Sequence, residues 1–197
     1  MKKSIKELEV EIQRLNREFS ILSEISQAVN QSADLHEILN NSLNKMTELI
    51  GVRSAGIYLL DEKGENLVFT AQRNFSKRFM EGMKRLKLED SITGKVTLTG
   101  EPMFVEDYPT HPKAISLAIE EGVKSLAVIP LKGRDKVYGT LNIARKDFYQ
   151  FTPYEKNLLN AIGQIIGGAM ERISLYTENV RRLEEQRTLF SISQEIA

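Results

Sequence analysis

KSLAVIPLKGRDKVYGTLNIA, Lys124 to Ala144, decides the fold class. Two apolar runs, Lys124–Leu131 and Val137–Ala144, flank Gly133-Arg134-Asp135. Glycine and aspartate at that spacing predict a tight turn, so the segment reads as a β-hairpin. Both runs are apolar at nearly every position. Successive strand side chains point to opposite faces. A strand apolar on both faces must therefore be covered on both sides. The hairpin belongs to the middle of a sheet with helices or loops above and below.

Reading outward toward the N-terminus, Ser54–Leu60 and Asn66–Ala71 form a second strand pair around the turn Asp61-Glu62-Lys63-Gly64. Met103-Phe104-Val105 is a short strand after the Gly100-Glu101-Pro102 turn. Helices are predicted over Ser76–Leu86, over Ser91–Val96, and from Pro112 to about Gly122, with proline at the first helical position. Asp34 caps a helix that runs to Ile50. Glu37 stands three residues on, as in a capping box, and Gly51 supplies a left-handed stop.

The two ends carry a different period. Ile5, Leu8, Ile12, Leu15, Phe19 and Leu22 recur in steps of three and four, and Val29 restores the stripe after Ser26. The predicted helix spans about Lys3 to Val29. A heptad stripe of this kind pairs with a second helix, either that of a partner chain or the surface of its own domain. Thr152-Pro153-Tyr154-Glu155 opens a helix predicted to reach the chain's end, about 65 Å at 1.5 Å per residue. Gly163 and Gly167 lie one turn apart inside it, and glycine there costs about 1 kcal/mol. Close packing against a neighbour offsets that cost; a kink is the alternative. LFSISQEIA, Leu189–Ala197, faintly echoes FSILSEISQAV, Phe19–Val29. The expectation is that a further sensor or output module follows.

Lysines and arginines number 27, as do aspartates and glutamates, so the formal net charge is zero. The balance excludes the basic footprint of a nucleic-acid binder. With no cysteine, disulfides, thiolate metal sites and cysteine nucleophiles are excluded. No apolar run approaches the roughly 20 residues of a membrane helix. A cytoplasmic location without direct membrane insertion is expected. No metalloprotease, phosphate-loop, nucleophile-elbow or kinase motif is present.

The stretches SITGKV (Ser91–Val96), TGEPMFVED (Thr99–Asp107), GVKSLAVIPL (Gly122–Leu131), VYGTLNI (Val137–Ile143) and FTPYEKNLL (Phe151–Leu159), in that order and spacing, resemble the GAF family of small sensor domains. The resemblance covers about 34–175. It implies an α/β (α+β) fold: a central antiparallel sheet of five or six strands with helices on both sides. Long terminal signalling helices would flank it. It divides the chain into an N-terminal coiled-coil helix (1–31), a GAF domain (32–175) and a linker helix (176–197) leading to an output module. GAF domains commonly sit in dimeric signalling proteins beside histidine kinase, cyclic-dinucleotide or sigma-54-type activator modules. The function implied is a non-enzymatic regulatory sensor in a homodimer joined through its terminal helices. It would pass a shift induced by a small-molecule ligand or a partner to the output module. A structural dimerisation spacer is the alternative.

Covalent bilin attachment and the methionine-sulfoxide reduction known in one GAF subgroup both need cysteine, so both are excluded. The NKxxFxxxDE signature of cyclic-nucleotide-binding members has no counterpart, which weighs against cAMP and cGMP. Candidate ligand contacts are Arg73, Phe104, Asp107, Tyr108, His111, Ser125, Ala127 and Asn142. Phe104 and Tyr108 would form wall, with the Tyr108 hydroxyl as a polar handle. Asp107 follows the short strand where the family carries a recurrent aspartate; ordering its own loop is the other role for it. His111 lies in a loop over the expected cavity. Haem ligation there is weighed against a capping role. Arg73 and Arg78 are anion contacts at the mouth or solvated surface residues. Ser125 and Asn142 are polar groups inside apolar strands and need partners or a ligand. Ala127 shares a face with Ser125 and leaves room. His36 has no partner at metal-ligand spacing.

Overall fold

The structure, a computed structural model, describes residues 5–32 and 34–195, with side chains through Thr188. The deciding hairpin forms as expected. β5 (Ser125–Lys132) and β6 (Val137–Arg145) pair antiparallel, with Val128 opposite Asn142 and Leu131 opposite Gly139. β1 (Ser54–Leu60) flanks β6 on the other side, followed by β2 (Asn66–Arg73). β4 (Met103–Val105) pairs with β5. With β3 (Arg85–Lys87) outside β2, the sheet has six strands in the order β3-β2-β1-β6-β5-β4, all antiparallel.

Side-chain parity divides the core in two. Ala127, Ile129, Leu131, Leu141 and Ile143 point to one face. There they meet α2 (Leu35–Ile50) and the 43-residue α6 (Pro153–Glu195), with α1 (Ile5–Asn30) laid against those two helices. Leu126, Val128 and Ala144 point to the other face. There they meet three short helices, α3 (Lys77–Gly82), α4 (Ile92–Thr99) and α5 (Ser116–Glu120). The predicted caps form. Asp34 Oδ1 accepts from Glu37 N at 2.9 Å, and Gly51 stops α2 at φ 70°. Glu155 Oε2 accepts from Thr152 N at 2.8 Å.

Two expectations are corrected. The helix foreseen over Ser76–Leu86 ends at Gly82. Leu117 packs where a Gly82 Cβ would stand, 2.3 Å from its Cδ2. The chain then turns to the sheet edge, where Lys84 O accepts from Phe69 N at 3.0 Å. Pairing the open edge of β2 satisfies more backbone than another helical turn would. Nor does Pro112 open a helix: α5 is only Ser116–Glu120. The His111 imidazole accepts Lys113 N at 3.1 Å and the Tyr108 hydroxyl accepts Ile115 N at 3.0 Å. These side-chain acceptors hold the backbone in successive turns and compete with a helix.

α1 and α6 run parallel, side by side. The Arg14 guanidinium sits 5.4 Å above the Tyr154 ring, and Arg172 Nη2 donates to Asn30 Oδ1 at 2.6 Å. Sequence number rises along both helices between those contacts. α2 folds back against α1, with Lys45 Nζ 3.4 Å from Glu24 Oε2. The α1 stripe is therefore split. Ile21, Ile25, Ala28 and Val29 are buried in the domain, whereas Ile5 and Phe19 are 76% and 75% exposed. Beyond Arg172, α6 extends about 35 Å further. The echo at Leu189–Ala197 and the predicted start at Lys3 lie outside the described side chains.

Two of the three glycines in α6 meet the sheet. A Cβ on Gly167 would stand 2.4 Å from Lys132 N and O, and one on Gly163 would stand 2.7 Å from Ile129 Cγ2. Gly168 faces open space. Close approach, not bending, is what the first two provide.

Candidate functional site

A small cavity of about 40 Å³ lies between the sheet and the short-helix layer. Its floor is Gly56 and Tyr58 on β1, Leu126 on β5, and Asn142 and Ala144 on β6. α4 contributes Ile92 and Thr93, with Ser91 at its cap. Phe75, Phe79, Tyr108 and Ile115 form the outer wall. Four rings fill most of this space. Tyr58 stacks on Phe69 and Phe75 on Phe79, each pair with centroids 4.6 Å apart, and Phe69 meets both phenylalanines edge-on. Gly56 makes that possible, because a Cβ there would lie 2.3 Å from Phe69 Cε2.

Polar groups are few and oriented. Tyr58 OH donates to Met83 O at 3.1 Å. Burial pushes the Tyr58 phenol far up, and the neighbouring Tyr108 phenol adds to the shift. Burial also raises Tyr108, partly offset by the Ile115 N–H that its oxygen accepts. Asn142 Nδ2 donates to Thr93 Oγ1 at 2.8 Å. Asn142 Oδ1 is buried and has no partner among the described residues. None of the lining residues carries a charge.

Of the eight candidates read from sequence, Tyr108 and Asn142 line this cavity and the others do not. Ser125 and Ala127 lie on the opposite parity, under the long helices. Ser125 Oγ sits 2.8 Å from both Glu106 O and Asp147 O and accepts Tyr149 N at 2.7 Å, so it locks loops together. Phe104 is directly across from Ala127 and shares its face, 5.5 Å from Phe151. Arg73 is pinned to α2, donating to Asn44 Oδ1 at 2.6 Å and to Asn40 Oδ1 at 3.0 Å. Asp107 is exposed and accepts Thr110 N at 3.4 Å within its own loop. The His111 Nδ1 is engaged by Lys113, as described. Arg78 pairs at the surface with Glu120 at 2.6 Å.

Sequence reading missed Tyr58, Phe69, Phe75, Phe79 and Thr93. Gly56 was the available signal: a glycine inside a strand marks close approach by something on its face. A larger cleft, about 730 Å³, opens between the start of β1, the end of β6 and the first turns of α6. Part of its polar lining is paired internally. Arg145 donates to both Asp147 oxygens, at 3.1 and 2.8 Å, and stacks 3.7 Å from the Tyr149 centroid. Glu155 serves the α6 cap and accepts Tyr149 OH at 2.7 Å. The smaller cavity, by contrast, is lined mainly by apolar and aromatic side chains between the sheet and the short helices.

The family profile described as "GAF domain" matches residues 32–171. The chain is similar to the sensor histidine kinase YhcY of Bacillus subtilis, 24% identical over 160 residues. That match takes in 78% of this chain but 42% of the relative, so the chain spans less than half of the curated relative's length. Among solved structures, the GAF domain of a phosphoenolpyruvate-protein phosphotransferase from Coxiella burnetii superposes with a TM-score of 0.73 at 20% identity. It covers 82% of this chain and 97% of the other. Free methionine-R-sulfoxide reductase from Neisseria meningitidis gives 0.71 at 21% identity, over 81% and 91%. At these identities the structural likeness speaks for the fold. Together with the profile match across the sheet and both helical layers, it identifies this chain as a member of the GAF domain family.

Proposed function

We propose that this chain is a cytoplasmic regulatory domain that passes a ligand- or partner-induced change to an attached output module through α1 and α6. The observation that carries this reading is the parallel α1–α6 pair. The two helices touch between Arg14 and Asn30 of α1, and apolar residues stand exposed from Ile5 to Phe19 on α1 and from Leu175 to Leu183 on α6. Leu8, Ile12, Leu15 and Phe19 on α1, and Tyr176, Val180 and Leu183 on α6, are an unfinished interface that a second copy of the chain completes. Gly167 against Lys132 ties α6 to the same hairpin whose other face floors the cavity. A molecule entering the cavity would thus bias the position of α6 by its difference in affinity between two arrangements of the domain. The similarity to a sensor histidine kinase makes a kinase the favoured output.

A dimerising spacer is the second reading. The four-ring cluster that leaves only about 40 Å³ favours it.

Sedimentation equilibrium tests the interface. The wild type is expected to be a dimer, and Leu8→Lys with Leu15→Lys is expected to raise the dissociation constant at least tenfold without loss of helicity. A monomer at high micromolar concentration overturns the proposal.

A further inference from the structure

Resting on the reading of the cavity as a ligand site, we infer that its ligand is a small neutral aromatic molecule that carries one hydrogen-bond donor, of the phenol or indole type. Three observations converge on that class.

The first is charge. The lining residues include no cation and no anion. Tyr58 and Tyr108 are both held protonated; the Tyr58 hydroxyl donates to Met83 O, and the Tyr108 hydroxyl accepts Ile115 N. A buried carboxylate or phosphate would find no compensating charge, and burying an uncompensated ion is prohibitive. The second is the polar group on offer. Asn142 lines the cavity and is 9% exposed; its Nδ2 is used by Thr93, and its Oδ1 is buried without a partner among the described residues. An orphaned buried acceptor asks for a donor. The third is shape. Tyr58, Phe69, Phe75 and Phe79 present ring faces and edges, which favour another ring.

The cavity holds about one water as it stands, since a water's share of liquid volume is about 30 Å³. Its outer wall is built to yield. Phe69, Phe75 and Ile115 are only partly buried. α3 and α5 have six and five residues, too short to be stable alone. They are joined to each other at the surface: Ser76 N and Oγ donate to Glu121, and Arg78 pairs with Glu120. The pair can move outward as one latch while β1, β5 and β6 stay paired, admitting a ring into the space Phe75 leaves.

The test is a titration of the whole chain followed by methyl NMR at Ile92, Ile115 and Ala118, with three probes built on one benzene ring: phenol, benzene and benzoate. Phenol is expected to shift these methyls and to bind at least tenfold more tightly than benzene, with benzoate inert. A satisfied buried acceptor is worth about that factor or more. Asn142→Leu, which removes the orphan oxygen at similar size, should erase the phenol–benzene difference. Equal binding of phenol and benzene to the wild type overturns the role of Asn142. Binding of benzoate overturns the neutral class while leaving the regulatory reading in place. If none of the three binds, the cavity is a water site and the inference falls; the dimer experiment above still judges the regulatory proposal separately.

Discussion

Three glycines in α6 give opposite predictions from one helix, and the contrast isolates what the helix–sheet contact demands. Replacing a helical glycine by alanine gains about 1 kcal/mol from backbone entropy when the new methyl meets nothing. Gly168 is such a position. Gly168→Ala should stabilise the protein by about 1 kcal/mol, raising Tm by about 2–4 °C for a chain of this size. At Gly167 the same methyl would lie 2.4 Å from Lys132 N, 2.4 Å from its O and 2.6 Å from its C. Those are backbone atoms of β5, so no rotamer change relieves them. α6 must lift from the hairpin by about an ångström, and overpacking of a tight interior costs about 1–3 kcal/mol. With a rigid obstacle the cost belongs at the upper end. The net loss for Gly167→Ala is then about 2 kcal/mol, a Tm fall of about 4–8 °C. Gly163→Ala, against the Ile129 methyl at 2.7 Å and Pro130 O at 2.8 Å, should fall between the two. Urea denaturation followed by far-ultraviolet circular dichroism measures all three. Should Gly167→Ala match or exceed the wild type, or should Gly168→Ala lose stability alongside it, close approach is not the reason for these glycines and a bend in α6 would replace it.

Two further predictions rest on single side chains. Ser125→Ala removes a buried hydroxyl that links Glu106 O, Asp147 O and Tyr149 N. It should cost about 2 kcal/mol in urea denaturation yet leave probe binding in the cavity unchanged; altered phenol affinity would contradict its placement on the helix face. The second concerns acid. Burial alone would raise the Glu155 carboxyl, but the Thr152 N–H, the Tyr149 hydroxyl and the Thr152 hydroxyl outweigh it and bring it below 4.5. A depressed folded-state value means its stabilisation is complete above 4.5 and is lost as pH falls through the folded value. Glu155→Gln should therefore be less stable than wild type at pH 7, with the gap closing as pH falls below 4.5. A gap that stays constant across that range would refute the assignment.

Much of the fold was written locally. The Asp34 and Thr152 caps, Gly51 and the 133–135 turn are short-range signals, and each element they bound is present. β3 was not legible. Arg85–Lys87 is drawn into the sheet by the open edge of β2, a partner distant in sequence, and nothing in its own composition says strand. The site was half legible for one reason, parity. Lys124–Ala144 is apolar on both faces, so no alternation marks which residues look toward the cavity. Asn142 was found because it is polar. Ser125 is polar for a different purpose, and Ala127 and Phe104 went with it to the wrong side. The aromatic cluster comes from β1, β2, α3 and the loop between β2 and α3, whose rings converge through the Ile57/Tyr58 register shift and the space Gly56 leaves.

The side-by-side course of α1 and α6 has a geometric corollary. The chain reaches the domain from one end and leaves from the other, heading the same way. Whatever is joined upstream of Ile5 and downstream of Glu195 is thus threaded on nearly one line, with the globular body hanging from it like a flag from a mast. Lengthening such a mast changes the reach between its attachments but not their heading. Adding one residue to α6 past Arg172 would turn everything beyond it by about 100°, so the spacing of that segment sets an azimuth as well as a distance.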